Sequence, residues 1–339
     1  MNVLITGGCG FIGSNLVKYL RKNRPAWKLV NFDKLTYAGN LENFKDLEDD
    51  PKHVFVRGDI GNRELVDHVI LTEKIDAIMH LAAESHVDRS ILGPEAFIVT
   101  NVLGTNVLLE AARHAKISRF LMVSTDEVYG SLGPTGLFTE TTPLDPSSPY
   151  SSSKAAADLI TLAYERTFGL DVVVTRCSNN YGPYQFPEKL IPLMVANALV
   201  DKPLPVYGDG TNVRDWLHVE DHCSALTLAL EKGKKGECYN IGGNSERQNI
   251  QIVKAILSAV GKPETLIKYV QDRPGHDKRY AIDASKSKRE LGWAPSHVFE
   301  KALADTVKWY LDNRPWWERI LSGAYKTYFD SQYAARLKA

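Results

Sequence analysis

A chain of 339 residues is long enough to bury a large core and to divide into two lobes. Hydrophobic residues make up 44% and charged residues 24%, the balance of an ordinary globular protein. The 41 Lys plus Arg equal the 41 Asp plus Glu, which lacks the basic excess of a nucleic-acid binder.

The chain opens with Val3-Leu4-Ile5, a short buried strand, and leaves no room for a signal peptide. No apolar run reaches the roughly 18 to 20 residues of a membrane span. The strand runs into Thr6-Gly7-Gly8-Cys9-Gly10-Phe11-Ile12-Gly13 and then the apolar-periodic segment Leu16 to Leu20. Strand, glycine loop and helix together are the setting of a dinucleotide fingerprint, with the pyrophosphate at the helix N-terminus. Leu29 to Asp33 reads as the second strand. Asp33 lies 20 residues after Gly13, where a carboxylate holds the adenosine ribose hydroxyls and repels a 2′-phosphate. NAD is therefore favoured over NADP, although the neighbouring Lys34 blurs the preference.

The strand–helix alternation continues through Val54 to Val56, ending in Gly58-Asp59-Ile60, and Ala77 to Met79, ending in His80-Leu81-Ala82-Ala83-Glu84-Ser85. From Pro94 to Lys116 runs a long helical pattern, apolar on more than one face. Four apolar residues, Phe120 to Val123, form a further strand, and Ser124-Thr125-Asp126-Glu127 arrive together at its end. In an open parallel sheet, ligands bind at the carboxyl ends of strands. Tyr150 and Lys154 follow, four apart and so on one helix face. A Lys cation beside a phenol lowers its pKa from about 10 and makes it a base. Tyr-x-x-x-Lys alone is equally a surface helix; its place one loop after the Ser-Thr-Asp-Glu strand end points to chemistry. Since adjacent strand residues face opposite ways, the strand should end by about Thr125 for both carboxylates to reach one substrate.

The helix Tyr150 to Phe168 is again apolar on several faces, so it and the Pro94–Lys116 helix could pack on a second subunit. Leu170 to Thr175 is the next strand. After it the alternation fades, with Pro187, Pro192, Pro203 and Pro205 marking a change of architecture and a second lobe from near Cys177. Asp215 to Asp221 introduces a helix around Ala225 to Leu230. Tyr239 to Ile241 is a short strand, Ile250 to Val260 a helix, and Asp272 to Asp277 a polar loop before a short helix ending at Leu291. The tail from Ala302 is helical. The four cysteines lack any C-x-x-C and read as reduced cytoplasmic thiols. The nine histidines are dispersed, so no metal is expected.

Together, Thr6-Gly-x-x-Gly-x-x-Gly13, Asp33, Asp59 and Tyr150-x-x-x-Lys154 resemble the extended short-chain dehydrogenase/reductase superfamily. Thr125-Asp126-Glu127, Thr36 to Asn40, His80 to Asp88, Ser178 to Pro183 and Asp272 to Asp277 resemble the dTDP-glucose 4,6-dehydratases within it, over nearly the whole chain. The resemblance implies an α/β fold: a doubly wound Rossmann lobe (1–176) with about seven parallel strands, and a smaller mixed α/β lobe (177–339) for the nucleotide sugar. The chain would return to the first lobe near 215–243, and the protein would be a homodimer. His218 departs from the Tyr common in relatives, and the loop after Val128 is compact.

By resemblance, Thr125, Asp126, Glu127, Tyr150 and Lys154 are catalytic. NAD would be held by Gly7, Gly10, Phe11, Ile12, Gly13, Asp33, Lys34, Thr36, Asp59 and Ile60. Leu81, Ala82, Ala83, Ser85, Thr100 and Asn180 would complete its site with Tyr150 and Lys154. The substrate would meet Ser85, His86, Asn179, Lys189, Leu190, Pro205, Val206 and Tyr207, with Arg214, Asn249, Asp272, Arg273 and His276. The implied reaction oxidises C4 with bound NAD, eliminates water across C5–C6 and returns hydride to C6. The alternatives are a dehydratase for another nucleotide sugar, a 4-epimerase, which needs no acid–base pair after the Thr, and a non-enzymatic dinucleotide-binding scaffold.

Overall fold

The computed structural model describes residues 1–322; residues 323–339, the end of the expected second lobe and helical tail, lie outside the described residues. Six strands alternate with helices through the first half: β1 (Asn2–Thr6), β2 (Lys28–Asp33), β3 (His53–Arg57), β4 (Ala77–His80), β5 (Arg119–Thr125) and β6 (Val172–Cys177). Beyond them come β7 (Asn179–Tyr181), β8 (Leu204–Tyr207), β9 (Val213–His218), β10 (Cys238–Ile241), β11 (Glu246–Gln248) and β12 (Ile267–Val270). Seven strands form one sheet in the order β10-β6-β5-β4-β1-β2-β3, and every pair in it is parallel. Helices cover both faces, which is why β5 reads as an unbroken apolar run with Phe120, Leu121, Met122 and Val123 all buried.

The strand order reverses between β1 and β4, so their carboxyl ends diverge and leave a crevice for a ligand. The helix Phe11–Asn23 starts there, and Gly13 permits its approach: a Cβ would lie 2.2 Å from the Gly7 carbonyl oxygen. Gly7 has φ +71°, and a Cβ on it would meet the Ala82 backbone at 2.6 Å.

The Pro94–Lys116 pattern is helical but not uniform. Glu95–Phe97 leads into a π-helical turn, Ile98–Gly104, and then Thr105–Ala115. Its burial is one-sided: Phe97, Leu108, Leu109 and Ala112 are buried, whereas Ile98, Val99 and Leu103 are exposed. The helix Pro149–Phe168 behaves alike, with Ala157 and Thr161 buried and Leu159 and Phe168 exposed.

β6 runs to Cys177, two residues past the expected end, and carries Arg176 into the buried sheet. The prolines beyond it conceal regular structure. Pro192 is the third residue of the helix Leu190–Leu199, where a backbone N–H has no intrahelical acceptor to lose. Pro205 lies in β8, which pairs only with β12 and so can spare one N–H. Asp215 to His218, read from sequence as the approach to a helix, is the end of β9, flanked by β7 and β11. These elements share an apolar core with the helices Asn249–Ala259 and Phe299–Asp312, centred on Tyr181, Met194, Trp216, Ile256 and Tyr310. His218 caps the helix Val219–Lys232, which packs in the core of the large sheet and leads into its edge strand β10.

Candidate active site

The crevice is a cavity of about 320 Å³. Every residue expected to hold the dinucleotide lines it, from Gly7, Gly10 and Gly13 after β1 to Leu81, Ala82 and Ala83 after β4, with Thr100, Tyr150, Lys154 and Asn180. Asp33 is anchored before any ligand arrives: its carboxylate accepts from the backbone N–H of Cys9 at 2.9 Å and of Leu35 at 2.8 Å. Lys34 is committed to Asp59 at 2.7 Å, which offsets the cation that blurred the NAD preference. Helix N-terminus, glycine cradle and ribose-facing carboxylate fit a dinucleotide.

At the centre, β5 ends at Thr125, and Asp126–Tyr129 form a single 3₁₀ turn. The chain thus turns through the carboxylate pair, as two carboxylates facing one cavity require; both Asp126 and Glu127 line it. Thr125 starts the turn by accepting from Glu127 N–H at 3.3 Å. Gly130 closes it with φ +83°, where a Cβ would be 2.3 Å from the Asp145 carbonyl oxygen.

The two carboxyls differ in surroundings. Burial pushes Asp126 well above the usual carboxylate range, and the charges of Glu127 and Asp215 push it further. Burial also raises Glu127, but Arg273, Lys189 and Arg214 all oppose the rise. The surroundings therefore favour the proton more strongly on Asp126 than on Glu127. Asp126 Oδ2 and Asn179 Oδ1 are buried without a hydrogen-bond partner among the described residues, as expected of atoms that meet a ligand.

Tyr150 requires a correction. Lys154 was expected to lower its pKa, yet burial raises the phenol well above 10 and Glu127 adds to the rise. The Lys154 ammonium instead donates to the Val123 carbonyl at 2.8 Å, and burial brings it down to about 8. Desolvation outweighs the lysine here, so the phenolate needs a further positive charge beside it.

The residues expected around the substrate divide into three groups. Ser85, Asn179 and Lys189 line the cavity. Beyond it lies a second cluster: Tyr207 donates to Asp88 at 2.8 Å, Arg273 pairs with Asp88 at 3.4 Å, and His276 meets Asp272 at 2.6 Å. Arg214 donates to the Asp277 carbonyl at 2.9 Å and stacks over the Tyr280 ring. His86 is buried near Glu188, at 3.9 Å. The last group lies on elements of the second lobe: Val206 is buried in the second apolar core, Pro205 sits in β8, Leu190 begins a helix, and Asn249 begins another, its backbone N–H on the Asn212 carbonyl.

Sequence reasoning assigned no role to Glu188, which lines the cavity and accepts from Tyr37 at 3.0 Å, or to Asp215 and Asp277, whose charges raise Asp126 and Glu127 respectively. Adjacency to Lys189 was the one signal for Glu188, and Asp277 closes the Asp272 to Asp277 motif. The histidines are less dispersed than their numbering suggests. His218, Glu220 and His297 place their ligand atoms within 4.8 Å of one another, away from the cavity, with His297 Nδ1 on Asp221 at 2.9 Å.

The family model described as GDP-mannose 4,6 dehydratase matches residues 4–306. A dTDP-glucose 4,6-dehydratase of Xanthomonas campestris pv. campestris is 56% identical over 95% of this chain and 97% of that protein. This chain belongs to the dTDP-glucose 4,6-dehydratase family. Among solved members, the Bacillus anthracis enzyme, crystallised with NAD, is 55% identical with a TM-score of 0.89, covering 94% of this chain and 99% of that one. The Streptomyces venezuelae enzyme, also solved with NAD, is 50% identical with a TM-score of 0.92, covering 94% and 100%.

Proposed function

We propose that this member of the family is a dTDP-glucose 4,6-dehydratase, a lyase forming dTDP-4-keto-6-deoxyglucose and water. The observation that carries the reading is the turn at Thr125, which presents Asp126 and Glu127, two carboxyls in different surroundings, to one cavity beside Tyr150. NAD would be held by the residues of the glycine cradle and Asp33; when bound it would supply the hydride acceptor for C4, the donor for C6 and a positive charge to oppose the burial that disfavours the Tyr150 phenolate.

Tyr150 takes the proton of the C4 hydroxyl, and Thr125 hydrogen-bonds the C4 oxygen. Lys154 would hold the nicotinamide ribose from the same helix face as Tyr150. Once C4 is a ketone the C5 hydrogen is acidic, and Glu127 removes it while Asp126 protonates the departing C6 hydroxyl. Asn179, Lys189, Arg214, Asn249, Arg273 and His276 receive the substrate diphosphate; Arg and Lys suit it by charge-assisted hydrogen bonds. Hydride taken from C4 would be returned at C6 while C5 regains a proton, so NAD would end each turnover as it began and would stay bound. A 4-epimerase would use Tyr150 and Lys154 but would leave the acid–base pair without a task.

The division of labour follows the chain: residues 1–176, rejoined by 219–241, hold NAD, and the remainder holds the nucleotide sugar. We further infer a cytoplasmic homodimer acting in deoxysugar synthesis. Its interface would be the exposed apolar face of Ile98, Val99, Leu103, Leu159 and Phe168, because a patch of this kind on paired helices marks an association surface. Among the described residues, no helix is long and apolar enough to cross a membrane. The deciding experiment is incubation with dTDP-, UDP-, CDP- and GDP-hexoses followed by mass spectrometry. Loss of water from dTDP-glucose is expected; C4 inversion without loss of water would favour the epimerase.

A further inference from the structure

Behind the acid–base turn lies a buried polar network that the reaction as proposed does not use. Arg176 on β6 and Asn240 on β10 are register partners across two parallel strands. Tyr129, the last residue of the turn, reaches over them: its hydroxyl donates to Asn240 Oδ1 at 2.8 Å and accepts from Arg176 at 2.9 Å. Arg176 Nε donates to Asp158 at 2.9 Å, and the pair is almost wholly buried, at 4% and 0% side-chain exposure. Asp158 sits four residues after Lys154 on the helix Pro149–Phe168. The network therefore joins the turn that carries Asp126 and Glu127 to the helix that carries Tyr150 and Lys154.

Several hydrogen bonds of the turn are long: Glu127 N–H to Thr125, the Thr125 hydroxyl to Asp126 and Gly130 N–H to the Glu127 carbonyl are each 3.3 Å, while Asp145 N–H donates to the Val128 carbonyl at 3.1 Å. Its far end is better held, by the Tyr129 hydroxyl and by the Phe138 ring stacked on Tyr129 at 5.0 Å. A buried ion pair adds little stability over apolar packing, so its presence here is better explained by position than by energy.

We propose that Tyr129, Arg176 and Asn240 are positioning residues: they clamp the 126–129 turn so that the acid and base meet adjacent substrate carbons, with Asp158 holding Arg176 in place. This rests on the assignment of Asp126 and Glu127 as acid and base. A side chain misplaced by about 1 Å can cost on the order of 10²-fold in rate. Oxidation at C4, by contrast, uses Thr125, Tyr150 and Lys154, none of which hydrogen-bonds to Tyr129, Arg176 or Asn240 among the described residues; Asp158, whose charge does act on Lys154, is left unchanged in the test.

The test is single turnover of the NAD-loaded protein with dTDP-glucose, following NADH absorbance and loss of water. In Tyr129→Phe the ring stays and the hydroxyl is lost. NADH should form at nearly the wild-type rate while dehydration slows by about 10- to 100-fold, so that NADH accumulates. Equal slowing of both steps, or of neither, overturns the proposal. Phe138→Leu removes the stacked ring but keeps the hydroxyl; it should lower the melting temperature without changing the ratio of the two rates, and an equal change in that ratio would overturn the clamp in favour of general loosening. Should Tyr129→Phe not fold, Arg176→Lys, which keeps the charge beside Asp158 but loses the planar fork, must slow dehydration selectively. Failure of the wild-type protein itself to lose water would remove the acid–base assignment beneath the proposal, a result distinct from failure of the clamp.

Discussion

Replacing Glu127 by glutamine isolates the second half of the reaction. Removing a general base typically costs about 10² to 10⁴ in rate, or roughly 3 to 5 kcal/mol. The upper part of that range is expected, because neighbouring carboxylates are poor substitutes. Asp126 is held in its protonated form by burial and by Asp215 as well as Glu127. Asp277 is occupied by Ser147 at 2.6 Å and by the Tyr280 hydroxyl. The substitution has a second effect of opposite sign. The Glu127 charge raises the Tyr150 phenol, so its loss lets that pKa fall. Oxidation at C4 should therefore persist in Glu127→Gln and extend to lower pH than in the wild type. The assay is stopped-flow NADH absorbance across pH, paired with deuterium exchange at C5 and mass spectrometry for water loss. Glu127→Gln should accumulate NADH and fail to exchange C5. Asp126→Asn should retain C5 exchange while losing water slowly, and Tyr150→Phe should form no NADH. Rapid C5 exchange in Glu127→Gln would refute the assignment of the base.

Because burial raises Glu127, the rate of C5 exchange should fall on acidification with a midpoint above the ordinary 4.5, the base being lost as it is protonated; a midpoint below 4.5 in the pH–rate profile would contradict this. Gly13→Ala places a Cβ 2.2 Å from the Gly7 carbonyl oxygen, so the purified variant should carry less NAD than the wild type by absorbance and mass spectrometry. The hydrogen bond to Asp221 raises the pKa of His297 above 6.5 in the folded protein. Its contribution to stability is thus complete below that value and disappears as pH rises through the folded pKa. His297→Gln should lower the denaturation midpoint more at pH 6 than at pH 9. Leu103→Glu with Leu159→Glu should convert the inferred dimer to monomer in sedimentation, and an unchanged mass would place the interface elsewhere.

Local chemistry was legible in the sequence where one short stretch carries it. The glycine loop could be read because strand, turn and helix are contiguous, and the turn at Thr125 because a period of two cannot aim adjacent carboxylates at one target. The Lys154–Tyr150 relation was misjudged for a physical reason: spacing gives proximity on a helix, but burial and the Val123 carbonyl decide what the ammonium does. The role of Asp215 was illegible because the fold brings it from far along the chain with no periodic signal, and Asp277, although inside a quoted motif, gave no sign there that its charge would act on Glu127. The helix Leu190–Leu199 was hidden by Pro192, read as a breaker, although a first-turn proline breaks nothing.

The different surroundings of the two adjacent carboxyls owe part of their character to the second half of the chain. Asp126 and Glu127 share a turn and a strand end, but Asp126 is buried and Glu127 is partly exposed, so part of the difference between them is local. Burial and the neighbouring Glu127 raise Asp126 most, and Asp215, within β9, adds to the rise; Arg273, Lys189 and Arg214 oppose the rise of Glu127. Those three cations are also the groups proposed to receive the substrate diphosphate. A diphosphate placed among them neutralises the charge that Glu127 feels, and its affinity for a proton rises. The base would then be weak before the substrate binds and strong once the C5 hydrogen is in place, which couples recognition of the nucleotide to the step that commits the sugar to losing water.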